Sequence, residues 1–203
     1  MKNKYSRSKF LAERLVLEAV ADRGLSAKIM PVGNLAARYS DGEFQINDIT
    51  NSVMGRLKIY ALLGVCPYEQ LDVPMEFSPI DEVAKAILIL SQTPRKCLLF
   101  HPYNYNTILS DNVFSEMEKL ELPIMPVERD DFDVAMNRAE NNPGKARLLT
   151  SILAYQNGDQ HEVSVPQHNT YTMQVLYRMW YHWPVTSLDY VGQFIKNLKN
   201  SDR

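Results

Sequence analysis

Tyr5 and Lys9 stand four residues apart at the opening of a helical stretch, Tyr5-Ser6-Arg7-Ser8-Lys9. On a helix this spacing puts two side chains on one face, a single turn apart. A phenol with the usual pKa of about 10 is a poor acid or base at neutral pH. A neighbouring ammonium favours the phenolate and brings that value toward the working range. The pair is therefore suited to passing a proton to an oxygen that gains negative charge. A surface helix with a plain Tyr–Lys contact has the same pattern, so the elements around the pair must decide.

Apolar residues Phe10, Leu11, Leu15, Val16 and Ala19 recur at helical spacing up to Arg23, and Gly24 follows as a C-terminal cap. Ala27–Val32 reads as a short buried strand. Gly33–Ile46 is polar and turn-rich, with a turn at Asp41-Gly42. The spacing predicts helices over Thr50–Leu63 and, capped by Asp81, up to Leu90. Met75–Ile80 and Lys96–His101 are extended, and Pro102–Asn106 is a loop. The second half is more helical: Ser110–Leu120, Asp131–Glu140, Lys145–Tyr155 and Thr170–Tyr181, with Ile124–Val127 extended. Thr186 and Asp189 form a capping-box start for a last helix to about Leu198. This alternation makes an α/β protein. Only Ala27–Val32 and Lys96–His101 read as buried parallel strands, too few for a complete doubly wound sheet.

Composition narrows the classes. The 203 residues are 45% hydrophobic and 23% charged, as in ordinary globular proteins. A net charge of -2, with no block of like charges, suggests neither a nucleic-acid footprint nor a basic membrane patch. No apolar run reaches the ~20 residues of a membrane span. The basic start Met1–Lys4 has no apolar region after it, so no signal peptide is expected. Cys66 and Cys97 lack partners at ligand spacing and read as reduced core residues of a cytoplasmic protein. His161, His168 and His182 have no mutual metal spacing, so no metal site is expected.

Several segments in order carry a resemblance. Tyr5-x-x-x-Lys9 with Phe10-Leu11-Ala12-Glu13 is similar to the catalytic helix of extended short-chain dehydrogenases. Lys28–Leu35 is similar to the next strand, and Met75–Ala84 to a later strand-to-helix segment containing Asp-x-Val-Ala. The sequence around Gly33-Asn34-Leu35, the loop Asp41-Gly42-Glu43-Phe44-Gln45, Phe100–Asn104 and Trp183-Pro184-Val185-Thr186 resemble thioester reductase domains of nonribosomal peptide synthetases. The resemblance implies the C-terminal half of such a domain. Residues 1–106 would belong to an incomplete Rossmann-type parallel sheet, and 107–203 to a small, mainly helical substrate domain.

In chemical terms the resemblance implies NADPH-dependent reduction of a phosphopantetheine-bound acyl or peptidyl thioester, delivered by a carrier protein and released as aldehyde or alcohol. Tyr5 would be the proton donor and Lys9 its activator, which also holds the nicotinamide ribose. Gly33, Asn34 and Leu35 would line the cofactor. Phe44, Gln45 and His101 would face the substrate. Two departures stand out. The Gly-rich nucleotide loop and the Ser/Thr that precedes the Tyr in the family are not in this sequence, so a nucleotide-binding half is an expected partner. Pro31 stands where the resemblance implies an Arg, and Pro brings neither charge nor a backbone donor.

Plainer readings compete. A Gly-Asn turn after a strand, a structural His101 and packing of Trp180, Tyr181 and Trp183 in a core or interface need no ligand. Asp130, Asp131 and Asp133 read as a solvated helix start. As a whole, the chain could instead be a carrier-docking module or gene remnant, or part of a nucleotide-sugar epimerase or dehydratase.

Overall fold

A computed structural model describes residues 4–45, 51–156 and 169–200. Helix α1 (Lys4–Arg23) ends at Gly24, whose φ of 67° is the left-handed conformation a cap requires. Helix α2 (Ser52–Leu63) is closed at both ends. The Asn51 side chain accepts from the Met54 N–H at 2.9 Å, and Gly64, at φ 72°, donates its N–H to the Tyr60 carbonyl. Helix α3 (Ile80–Ser91) follows Pro79 directly. Helices α4 (Ser110–Lys119), α5 (Arg129–Glu140), α6 (Pro143–Gln156), α7 (Thr170–Arg178) and α8 (Leu188–Asn200) fill the second half.

The strands among the described residues are short. β1 (Leu35–Ala36) pairs in parallel with β4 (Ser78–Pro79). β2 (Val65–Pro67) pairs in parallel with β6 (Met125–Val127), and β3 (Pro74–Met75) pairs antiparallel with β5 (Ile108–Leu109). The two expected buried strands do run in parallel, but they meet in a single bridge between Ile29 and Leu99. Two hydrogen bonds hold it: the Ile29 N–H to the Leu98 carbonyl (2.7 Å) and the Phe100 N–H to the Ile29 carbonyl (3.0 Å). They are not buried strands as expected. Ala27–Pro31 is half-buried, and Val32 and Leu99 are exposed, because no further described strand covers them.

Two apolar clusters hold these elements. The larger joins α2, β2, α4, α5, α6 and α8. In it Phe194 lies edge-on to both Phe44 (5.2 Å) and Phe77 (5.3 Å). The smaller joins α3, Phe100, Leu176, Tyr181 and Trp183. α1 stands apart from both: Phe10 is 54% and Leu15 61% exposed.

Three further expectations are corrected. Asp81 is not the N-cap of α3, which starts one residue earlier; its carboxylate binds a loop instead. The last helix is capped by Ser187, whose hydroxyl accepts from the Tyr190 N–H (3.2 Å), while the Thr186 hydroxyl donates to the Asn106 carbonyl. Cys66 is buried, but Cys97 is only half-buried. His161 and His168 lie outside the described residues.

Candidate functional site

Tyr5 and Lys9 lie in the first two turns of α1, whose helical backbone sets them one turn apart. Lys9 is exposed; the Tyr5 side chain lies outside the described residues. From Gly24 the chain runs through the Ile29 bridge to Gly33, Asn34 and Leu35, at the far end of the parallel segment. Leu35 enters β1, and the Asn34 carbonyl accepts from the Ser78 N–H at 2.9 Å.

Gly33 is needed here for contact rather than conformation. A Cβ at this position would sit 2.5 Å from Glu76 Oε1 and 2.5 Å from the Tyr103 Cβ. The close approach expected of a cofactor is thus made by the protein's own Glu76 and Tyr103. Glu76 went unread in the sequence, although one Glu between Met75 and Phe77 in an extended apolar segment is a signal, since carboxylates are mostly exposed. Its Oε2 accepts from the Asn34 N–H (2.8 Å), and its Oε1 accepts from the Ser78 hydroxyl. Burial pushes the Glu76 carboxyl above the usual range, and the two donors offset only part of that.

Behind Glu76 the network is closed by Asn104, a buried side chain not expected from sequence. Its N–H donates to Ser78 Oγ (2.9 Å), and its Nδ2 donates to the carbonyls of Phe77 (3.2 Å) and Pro184 (3.1 Å). One amide therefore ties the strand end to the segment before α8. Every buried polar atom in it has a partner, which makes it rigid.

A titration follows from this geometry. A carboxyl whose folded pKa lies above its unfolded value adds stability fully below the unfolded pKa and loses it as pH rises through the folded value. The stability of the native chain relative to Glu76→Gln is therefore expected to improve as pH falls from neutrality into the ordinary carboxylate range. Urea titrations of both proteins across that window measure it; a difference independent of pH would contradict it.

The loop after β1 carries the expected substrate residues. Asp81 accepts from the N–H groups of Tyr39 (2.8 Å), Ser40 (3.2 Å) and Glu82 (3.1 Å). Burial alone would raise the Asp81 carboxyl, but these donors prevail and hold it below the usual range. Within the loop Arg38 grips Asp41 through two bonds (2.9 and 2.7 Å) and also pairs with Glu43. Tyr190 of α8 donates its hydroxyl to the Ala37 carbonyl (2.7 Å). Phe44 turns its ring into the core against Phe194, whereas Gln45 is exposed. His101 is half-buried, its N–H bonded to Thr172 Oγ1 at 2.8 Å. The structure thus brings Gly33 and Asn34 together at Glu76, sets Leu35 beside Ser78, and fixes the Phe44 loop against α8.

The α1 backbone sets Tyr5 and Lys9 on one face, and Asn34 is exposed at a strand terminus. A glycine-rich cradle for the phosphates is not found among the described residues.

Known proteins agree with this outline. The NAD-binding family described as male sterility protein matches residues 1–87. A glycine betaine reductase of Emericella nidulans is 31% identical over 133 residues, which are 63% of this chain and 10% of that protein. A thiolation-reductase di-domain from an archaeal non-ribosomal peptide synthetase superposes with a TM-score of 0.81 at 32% identity, over 100% of this chain and 42% of that one. The terminal reductase domain of the myxalamid pathway superposes with a TM-score of 0.79 at 22% identity, over 98% of this chain and 50% of that one, which speaks to the fold alone. The chain thus spans half or less of the length of these proteins. Its fold is that of part of a reductase domain of the extended short-chain dehydrogenase type, and it is similar to such a domain in sequence over its whole length.

Proposed function

We propose that this chain carries the proton-donating pair and the substrate-facing helices of a thioester reductase that releases a carrier-bound acyl or peptidyl group as aldehyde or alcohol. The observation that carries the reading is the 32% identity, over the whole chain, to a reductase joined to a thiolation domain. When bound, NADPH supplies the hydride. Tyr5 holds a hydrogen bond to the thioester oxygen and passes it a proton as negative charge develops there. Lys9 keeps that phenol acidic and bonds the ribose hydroxyls. The Asn34 side chain borders the nicotinamide, and Gly33 seats Glu76 beneath it. Gln45 and His101 border the acyl group, while Phe44 anchors their loop.

The exposed Phe10 and Leu17, seven residues apart on one side of α1, support a nucleotide-binding half packed against it. The test is reduction of an acyl-carrier thioester by the full-length protein, followed as loss of NADPH absorbance and appearance of aldehyde. NADPH consumption that depends on the carrier-bound thioester is expected. Turnover of a nucleotide sugar in its place would overturn the reading in favour of an epimerase or dehydratase.

A further inference from the structure

The hydrogen-bond ladder between the two parallel segments stops short of the site, and two prolines stop it. The rung at Ile29 uses the N–H groups of Ile29 and Phe100. In a parallel pair the next rung toward Gly33 would run from the residue 31 N–H to the Phe100 carbonyl and from the residue 102 N–H to the residue 31 carbonyl. Both donors fall on prolines, Pro31 and Pro102, which have no N–H. Among the described residues, the backbone groups of Met30, Pro31, Val32 and Gly33 make no hydrogen bond. The chain is caught again only at Asn34.

Glu76 makes that contact. Its Oε2 accepts from the Asn34 N–H (2.8 Å), while the Asn34 carbonyl accepts from the Ser78 N–H (2.9 Å). Gly33 lies against the same carboxyl, since a Cβ there would stand 2.5 Å from Oε1 and 2.7 Å from Oε2. The carboxyl is itself held. The Ser78 hydroxyl donates to Oε1, and Ser78 Oγ accepts from the N–H of Asn104, whose amide donates to the Pro184 carbonyl (3.1 Å) and to Thr186 Oγ1 (3.3 Å). Tyr103, the other neighbour of Gly33, is fixed through its carbonyl by the Asn169 amide (3.1 Å). Asn34 is exposed, so its N–H could bond to water at little cost. A bond to a fixed side chain therefore sets a position rather than merely satisfying a donor. The glutamate supplies at Asn34 the acceptor that a continued ladder would have supplied.

We propose that Glu76 is the positioning residue for this end of the site: in place of the interrupted ladder, its carboxyl fixes the Gly33–Asn34 backbone and so where the Asn34 side chain stands. The consequence for turnover rests on the reductase reading, in which Asn34 borders the nicotinamide. Reach decides here, not charge. Gln at this position keeps the length and an acceptor oxygen for the Asn34 N–H, and its own N–H can donate to Ser78 Oγ. Asp keeps the charge but is one methylene shorter and draws back from Asn34. If the carboxylate acted through its charge, the order of the two variants would reverse.

Amide exchange by NMR on the 203-residue protein reads this position directly, with no cofactor present. The Asn34 N–H is expected to exchange at least about tenfold faster in Glu76→Ala and Glu76→Asp, and within about threefold of native in Glu76→Gln, as for the loss or retention of one such hydrogen bond. The N–H groups of Met54, held by Asn51, and Phe100, held by Ile29, are the references. Their rates should stay as in the native chain, which separates local release from general destabilisation. Glu76 is half-buried and Gln has its shape, so Glu76→Gln is expected to fold, as circular dichroism checks. In the full-length protein, turnover of the carrier-bound thioester should fall about ten- to hundredfold in Glu76→Asp and stay within about threefold of native in Glu76→Gln, the scale for a misplaced site group. Unchanged Asn34 exchange in Glu76→Ala overturns the positioning role. So does Glu76→Asp holding Asn34 while Glu76→Gln releases it, and so does native turnover in Glu76→Asp. A native protein that leaves the thioester unreduced overturns the reductase reading instead, and the exchange rates still decide whether Glu76 positions Asn34.

Discussion

Tyr5→Phe, made in the full-length protein, is expected to lower turnover of a carrier-bound thioester by about 10²- to 10⁴-fold, the range that one positioned proton donor contributes. The substitution removes one oxygen from an aromatic ring in the first turn of α1 and leaves the helix to form as before. NADPH affinity should change little, because on the proposed reading Lys9 would still meet the ribose. The loss should therefore appear in kcat rather than in KM for the cofactor. Lys9→Met should also lower turnover, and it should weaken NADPH binding as well. The pH dependence separates the two roles. Native turnover should follow the titration of a phenol lowered by its neighbouring ammonium, and in the Lys9 variant that profile should shift upward. Steady-state rates across pH for the three proteins test the assignment. Undiminished turnover in Tyr5→Phe would remove Tyr5 from the chemistry, and an unshifted profile in Lys9→Met would remove Lys9 as its activator.

Much of the helical frame was legible because its ends are written in local chemistry. Asn51 and Gly64 bracket α2, and Gly24 closes α1, through bonds that need only neighbouring residues. The sheets were harder. Val65–Pro67 pairs with Met125–Val127 over three residues, one of them a proline on each side, which is too short for any periodic signal. The segments Ala27–Val32 and Lys96–His101, expected as buried strands, do run in parallel, but they meet in one bridge, Ile29 with Leu99, and are not buried strands. Burial of a parallel strand depends on neighbours that the segment itself does not encode. The cap of the last helix slipped by one residue because Thr186 is drawn off by the Asn106 carbonyl, and Ser187 takes its place.

The site was legible in part for the same reason. Gly33, Asn34 and Leu35 could be placed from their position at a strand end. Their partners could not: Glu76 stands forty-odd residues on, and Asn104 further still. A glycine that reads as room for a ligand proves to be room for a half-buried carboxyl. Nothing in the sequence marks Trp180 for the left-handed region, where Gly or Asn would be the ordinary choice. That conformation is imposed by the bonds of the residue that follows it: the Tyr181 N–H returns to the Leu176 carbonyl at 3.0 Å, and the Tyr181 hydroxyl donates to Glu82.

Phe194→Ala is expected to destabilise the fold by about 3–5 kcal/mol, the range for truncating a buried Phe. The ring is fully buried and receives Phe44 and Phe77 edge-on at 5.2 and 5.3 Å, so three separate segments meet on it. Domains of this size have a total stability of about 5–15 kcal/mol, so one truncation removes a large part of it. Phe194→Leu keeps most of the volume but not the edge-to-face geometry, and should lose less than the alanine variant. The consequence reaches the site because α8 is also the floor of the Phe44 loop. The Asn197 amide donates to the Gly42 carbonyl (3.2 Å), and Gly42 packs so closely on Gln193 that a Cβ would lie 2.9 Å from its Oε1. With the Phe194 ring gone, Phe44 loses its anchor while the Asp81 bonds to Tyr39 and Ser40 remain. The loop should therefore loosen at its far end first, near Gln45. Urea titration gives the loss of stability, and amide exchange at Gly42–Gln45 against Tyr39–Ser40 gives its location. A loss below about 1 kcal/mol would mean that the three rings do not form one core, and uniform exchange along the loop would mean that α8 does not hold it.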